Sequence, residues 1–158
     1  NIFVSDLFSK FRFNVVVGPL FGDKRRLSLA RSTFDRDNIS ILTEVDCLKE
    51  TLSATCMAIT SSGAATRYEA AFCGVPVAFV AFDTKHVGIA QNYEMIGCAK
   101  YLGDQRSLDV SNVIMNLSSL LNDEKELTKM GKVGQTLIDG KGVDRIVSVL
   151  ELLLGGRM

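Results

Sequence analysis

Two hydrophobic rhythms alternate along this chain. Short β-branched or wholly apolar runs closed by Gly, Pro or Ser are followed by longer stretches whose apolar positions recur at helical spacing. Asn14-Val15-Val16-Val17 before Gly18-Pro19 reads as a buried strand ending in a turn. The polar, Arg-rich stretch Asp23 to Ser32 reads as a helix, and Ile39-Ser40-Ile41-Leu42 as a second strand. Cys47 to Ala54 follows as a helix, with Cys47, Leu48 and Leu52 on its apolar side. Met57 to Thr60 is a third strand, Ser61-Ser62-Gly63 its loop, and Ala64 to Cys73 a small-residue helix. Gly74 closes that helix, being the residue type that ends helices in the left-handed conformation.

Pro76-Val77-Ala78-Phe79-Val80 is continuously apolar, the pattern of a central strand covered on both faces, with proline tolerated at its first position. His86 to Ile96 then predicts a helix ended by Gly97, and Ala99 to Leu102 a short strand. Helices follow at Leu108 to Leu121, Glu124 to Ile138 and Val143 to Leu154, the last two separated by a tight break at Asp139-Gly140-Lys141-Gly142. Strands alternating with helices imply right-handed βαβ units. The expected fold is α/β, a Rossmann-like parallel sheet with helices on both faces. No repeat, low-complexity run or linker divides the chain, so one domain spans residues 1–158.

Composition narrows the function classes. A chain of 158 residues, 47% hydrophobic, buries roughly two-thirds of the surface its unfolded form exposes. Its 18 Lys+Arg balance 18 Asp+Glu, which removes the electrostatic footprint of a nucleic-acid or anionic-membrane binder. The partner expected is a small molecule or another protein surface. The longest apolar stretch, Val75 to Phe82, falls far short of the about 20 residues of a membrane helix. Four cysteines, Cys47, Cys56, Cys73 and Cys98, form no Cys-x-x-Cys pair and accompany a single histidine, so no zinc site built from local ligand pairs is expected, and no cofactor is expected. They sit in apolar segments, as reduced thiols serving as small hydrophobes do, Cys73 and Cys98 in the core, which points to a cytoplasmic protein. The chain opens on Asn1-Ile2-Phe3 without Met or a basic leader, so no signal peptide is expected and a piece of a longer protein is.

In an open parallel sheet ligands lie beyond the carboxyl ends of the strands, which singles out the loops Gly18 to Gly22, Thr43 to Asp46, Ser61 to Thr66 and Phe82 to His86. Ser61-Ser62-Gly63-Ala64-Ala65-Thr66 combines hydroxyls, a glycine that admits close approach and the free N–H groups of a helix start, an arrangement suited to a diphosphate. The alternative is structural: Thr66 and Glu69 stand at capping-box spacing. Neither the Walker pattern nor G-x-G-x-x-G is present.

The run from Thr60 through Ser61-Ser62-Gly63-Ala64-Ala65-Thr66-Arg67-Tyr68-Glu69 to Gly74-Val75-Pro76 resembles the C-terminal domain of the two-Rossmann-domain (GT-B type) UDP-sugar glycosyltransferases. Within that superfamily the chain is most similar to the UDP-sugar hydrolases of the pseudaminic acid pathway and to spore-coat polysaccharide proteins. Ile89-Ala90 ahead of Gly97, Leu102-Gly103, and Asp139-Gly140-Lys141-Gly142-Val143-Asp144-Arg145-Ile146 carry this second likeness, which runs over residues 14–150. The resemblance implies a partner, UDP or a UDP-sugar. Glu69 would accept hydrogen bonds from the ribose hydroxyls, Ser61, Ser62, Gly63, Ala64 and Ala65 would hold the diphosphate, Gly18 would leave room for it, and backbone at Thr43, Glu44 and Val45 would face the uracil.

Where the hydrolases carry Asn-Gln ahead of the Ile-Ala pair, this chain has Lys85-His86, groups suited to a phosphate or a sugar and contributors to turnover in either a hydrolase or a transferase. A lone His at a helix start is otherwise a solvated or capping residue, and no carboxylate near it in sequence is expected to orient His86, which leaves only a partner brought close by folding. The family's general base lies on an N-terminal domain with no counterpart here. The resemblance therefore implies weak nucleotide binding and no turnover until an N-terminal Rossmann-like domain or a second chain closes the cleft. A different class remains open: a non-catalytic nucleotide-binding or partner subunit. Arg25, Arg26, Arg31 and Arg36 read as a solvated helix face, and Arg145 as the partner of a local carboxylate in the Asp139 to Gly142 turn.

Overall fold

The computed structural model describes residues 8–155, so the opening Asn1-Ile2-Phe3 lies outside the described residues. The elements run β1 (Phe13–Val16), α1 (Asp23–Thr33), β2 (Ile39–Leu42), α2 (Leu48–Ser53), β3 (Ala58–Thr60), α3 (Ala64–Cys73), β4 (Val77–Ala81), α4 (Thr84–Ile96), β5 (Ala99–Asp104), α5 (Val110–Leu121), α6 (Glu124–Leu137) and α7 (Gly142–Gly155). Every strand pairing is parallel. The fold is the expected Rossmann-like α/β arrangement.

The apolar run of β4 explains its place. Val77 and Phe79 face one side of the sheet, with Leu52 of α2, Ala70 of α3 and Ala90 of α4. Ala78 faces the other, with Leu102 of β5 and Val113 and Leu117 of α5. β4 is the middle strand of the order β3-β4-β5, and both its faces are covered.

The sheet is not continuous as expected. Among the described residues it divides into β1-β2 and β3-β4-β5, with no ladder between β1 and β3. β3 is only three residues long and offers a short edge, so the two pieces join through side chains instead. Phe13 of β1 and Met57, just ahead of β3, both pack against the cluster beneath α5.

Helix ends follow their glycines. Gly74 (φ 71°) and Gly97 (φ 88°) close α3 and α4 in the left-handed region. α6 crosses α3 at close range because two of its residues lack side chains. A Cβ on Gly131 would lie 2.2 Å from the Gly74 carbonyl oxygen, and one on Gly134 3.2 Å from Ala71 Cα. α7 differs: it is amphipathic in sequence, yet none of its described residues is buried.

The cysteine expectation holds only in part. All four are free, Cys98 is buried and Cys73 half-buried against the core, but Cys47 and Cys56 are exposed. Cys47 precedes α2 and Cys56 lies beyond its end, so neither shares the helix's apolar face. Among the described residues no helix is long and apolar enough to cross a membrane.

Candidate functional site

Of the four candidate loops beyond the carboxyl ends of β1 to β4, the one after β3 is tied down by a buried side chain. α3 is capped by Gly63, in extended conformation (φ −61°, ψ 147°), with no side chain bonded across the helix start. Thr66 therefore sits inside the first turn, Glu69 is exposed, and the capping box does not form. The first-turn N–H groups of Ala64 and Ala65 are left without a side-chain acceptor, at the positive end of the helix dipole.

Beneath this opening lies a buried network. Ser62 is fully buried, and its hydroxyl donates to the His86 carbonyl at 3.0 Å, tying the loop after β3 to the start of α4. Its contribution to a ligand is therefore limited to its backbone, while Ser61 is exposed. The Arg67 guanidinium, 8% exposed, donates from Nη1 to the Ser62 carbonyl at 3.0 Å. It lies over the rings of Tyr68 and Tyr93, 4.8 and 5.0 Å from their centroids, and its Nε has no hydrogen-bond partner among the described residues. Among the described residues the Arg67 cation is faced by aromatic rings and a carbonyl rather than by a carboxylate. Burial pushes the Tyr93 phenol up, an effect that Arg67 opposes.

The sequence reading passed over Arg67, although the signal was there. Position 67 shares with Ala70 and Ala71 the spacing of one helix face, the face that is buried.

The loop after β4 overturns the expectation that His86 has no orienting carboxylate. Asp83 caps α4, accepting from the His86 backbone N–H at 3.0 Å. The same oxygen lies 2.7 Å from His86 Nδ1. Asp-x-x-His at a helix start is the signal that was missed, since an N-cap side chain and the third helical residue meet over one turn. Phe82 stacks on the imidazole, ring centroids 3.8 Å apart. The hydrogen bond from His86 holds the Asp83 carboxyl below its ordinary range. Gln105 donates to the Phe82 carbonyl at 2.8 Å from the far side, and Arg106 pulls the neighbouring Asp104 down to about 2. Lys85 is exposed beside this pair.

The other two loops form a second group. The Val17 N–H donates to the Leu42 carbonyl at 2.8 Å, so Gly18 and Thr43 are neighbours. Gly18, Thr43 and Glu44 are exposed and Val45 half-buried. A Cβ on Gly18 would meet nothing within 4 Å. Arg26 is not part of a solvated face: it donates to the Phe21 carbonyl at 2.8 Å and the Gly18 carbonyl at 3.2 Å, folding α1 back onto the loop. No described hydrogen bond links this pair of loops to the Ser62–His86 pair. The expected pairing of Arg145 is present, with Asp139 at 3.1 Å from Nη1.

No protein-family model matches the sequence, and no curated protein matches it. Solved structures do match. MurG of Acinetobacter baumannii is 18% identical with a TM-score of 0.71, the match covering 92% of this chain and 43% of that one. UDP-GlcNAc 2-epimerase from Neisseria meningitidis, bound to UDP-GlcNAc, is 17% identical with a TM-score of 0.70, covering 94% of this chain and 38% of that one. WaaG, a glycosyltransferase involved in lipopolysaccharide biosynthesis, is 16% identical with a TM-score of 0.64, covering 83% and 34%. At such identities the likeness is one of fold: the chain has the Rossmann-like architecture found in part of these glycosyltransferases and UDP-sugar epimerases. It spans less than half the length of each.

Proposed function

We propose that this chain is the UDP-sugar-binding half of a glycosyltransferase or UDP-sugar hydrolase, acting in the cytoplasm in surface-polysaccharide or nonulosonic-acid synthesis. The observation that carries the proposal is the start of α3, which no side chain caps, held from below by Arg67 and Ser62. Backbone N–H groups at Ala64 and Ala65 donate to the diphosphate, in the positive field of the helix end and of Arg67. Glu69, six residues beyond Gly63 and so about 9 Å along the helix axis, accepts from the ribose hydroxyls, and a carboxylate can bind two vicinal hydroxyls at once. Gly18 leaves space beside the phosphates, Thr43 to Val45 offer backbone to the uracil, and Lys85 adds a cation at the phosphate end.

Calorimetry against UDP, ADP and GDP tests this. UDP is preferred, with a dissociation constant on the order of 0.1 to 1 mM, because contacts from a single half must offset the cost of ordering the ligand. No preference among the three diphosphates removes the assignment. The chain alone releases no UDP from a UDP-sugar, and activity requires a second Rossmann-like half over the loops at Gly18, Ser61 and Lys85. UDP release by the purified chain that is lost in His86→Ala places the catalyst here instead.

A second reading keeps the nucleotide site but makes the chain a non-catalytic subunit of a two-chain enzyme. What favours it is α7, whose apolar residues, Leu152 at 78% and Leu154 at 69% exposure among them, are left for another body to cover. An upstream reading frame that encodes a contiguous Rossmann-like half decides for the first reading, and an initiation codon immediately before Asn1 for the second.

A further inference from the structure

The Ser62–Gly63 peptide is held from the interior. The Ser62 carbonyl accepts from Arg67 Nη1 at 3.0 Å, and the Ser62 hydroxyl donates to the His86 carbonyl at 3.0 Å. Ser62 is fully buried and Arg67 only 8% exposed, and the guanidinium is itself set against the rings of Tyr68 and Tyr93.

A trans peptide is planar, and its C=O and N–H point in opposite directions. No peptide among the described residues is cis, so the bond that draws the Ser62 carbonyl toward Arg67 turns the Gly63 N–H away from it. That N–H finds no acceptor among the described residues, and Ser61, Ala64 and Ala65 around it are exposed. It stands as a further donor ahead of the first-turn N–H groups of α3.

The conformation at 63 does not itself require glycine. Its φ of −61° suits any residue, and a Cβ there would meet only the Ser61 hydroxyl, at 3.6 Å. What glycine adds is a second state. Rotating the peptide by half a turn points the carbonyl out and the N–H in, and carries φ of residue 63 to about +120°, which glycine adopts readily and other residues do not. An acceptor, not a donor, would then face a phosphate. Only the bond from Arg67 to the Ser62 carbonyl opposes that rotation directly.

We propose that Arg67 is a positioning residue that locks the Ser62–Gly63 peptide with its N–H outward, where it donates to a phosphate of the nucleotide. This rests on the nucleotide reading above and adds to it the residue that keeps one donor of the site in place.

A double-mutant cycle reads the lock through UDP affinity. Arg67→Met weakens UDP about tenfold when residue 63 is glycine, the worth of a hydrogen bond to a charged group. In the Gly63→Ala background, where φ closes the rotated state, the same change costs about threefold or less. Equal losses in the two backgrounds overturn the lock and leave Arg67 a cation near the site. Relaxation dispersion at the Gly63 amide reads the lock without ligand: none in the wild-type chain, and exchange on the microsecond to millisecond scale in Arg67→Met. Dispersion at this amide in the wild type overturns the lock, a result that stands even where Arg67→Met fails to fold.

The donor is read by titrating the wild type. UDP moves the Gly63 amide proton downfield, and uridine, which has no phosphate, does not. Gly63→Pro, whose ring suits a φ of −61° but which has no N–H, binds UDP more weakly than Gly63→Ala, by about threefold or more. Equal affinities of these two variants overturn the donor role. A Gly63 proton that stays still with UDP while those of Ala64 and Ala65 move overturns it as well and leaves the nucleotide reading intact. If none of the three moves, the nucleotide reading fails and the donor role with it.

Discussion

The β3-β4-β5 and β1-β2 regions are built from the same strand, loop and helix unit, yet they are consolidated to different degrees. In the first, Val77, Ala78, Phe79 and Ala81 of β4 are buried, and α3 is held against α6 by backbone-to-backbone approach at Gly131 and Gly134. In the second, Val16 of β1 is 48% exposed, α1 buries only Thr33, and Leu20 on the connecting loop is 99% exposed. The loops inherit the contrast. The one after β3 rests on fully buried Ser62 and on Arg67, whereas the one after β1 is fastened by the half-buried Arg26 at the surface. On the nucleotide reading proposed above, the Ser61 loop would be the rigid side of the site, and binding would order the Gly18 and Thr43 loops more.

The strongest way to break the contrast is to force α6 off α3. Gly131→Ala places a methyl 2.2 Å from the Gly74 carbonyl oxygen, and urea unfolding should show a loss of about 3 kcal/mol. Gly22→Ala, with nothing within 4 Å, should stay within about 0.5 kcal/mol. Equal midpoints for the two variants would deny the close crossing.

Hydrogen exchange sharpens the same point. Amides of β4 should open only with global unfolding, and those of β1 and β2 about 2 kcal/mol sooner. Uniform protection across both ladders would make the two pieces one cooperative unit.

Ligand affinity should respond on the consolidated side. Glu69→Gln should weaken UDP by about 1 to 2 kcal/mol with little change in stability, since a charged acceptor outweighs a neutral amide. Arg67→Met should weaken UDP by a similar amount by removing the cation beside the loop, and should also cost about 1 to 3 kcal/mol of stability, because the buried Ser62 carbonyl loses its donor. A variant that melts earlier yet binds UDP as before would assign its residue to scaffolding.

Thiol labelling gives the smallest effect. Cys47 and Cys56 should react in the folded chain, and Cys98 only on unfolding, since burial hides its thiol and pushes its pKa up. Labelling of Cys98 at the rate of Cys47 would show that the β5 edge opens readily.

Most of the fold was legible because its signals are local. Gly74 and Gly97 mark helix ends wherever they stand, and a run such as Val77 to Ala81 has few places to go but a covered strand. The division of the sheet was not legible, since whether β1 pairs with β3 depends on backbone alignment that hydrophobic pattern does not encode. Nor was the fate of α7: periodicity identified the helix but not what covers it. In the candidate site, the loops after the strands could be picked out, whereas the inward turn of Ser62, the reach of Arg26 to Gly18 and the buried course of Arg67 depend on side-chain paths set by folding. Asp83 is the exception, because its partner lies within one helical turn.

The bond from Ser62 to position 86 uses the main-chain carbonyl, not the imidazole. Any residue with an ordinary backbone can therefore stand at 86 without releasing the loop that precedes α3. Scaffold and side chain are decoupled at that position, so exchanges there need no compensating change in the core. Variation at 85 and 86 is what such freedom permits, while the neighbouring loop keeps its shape.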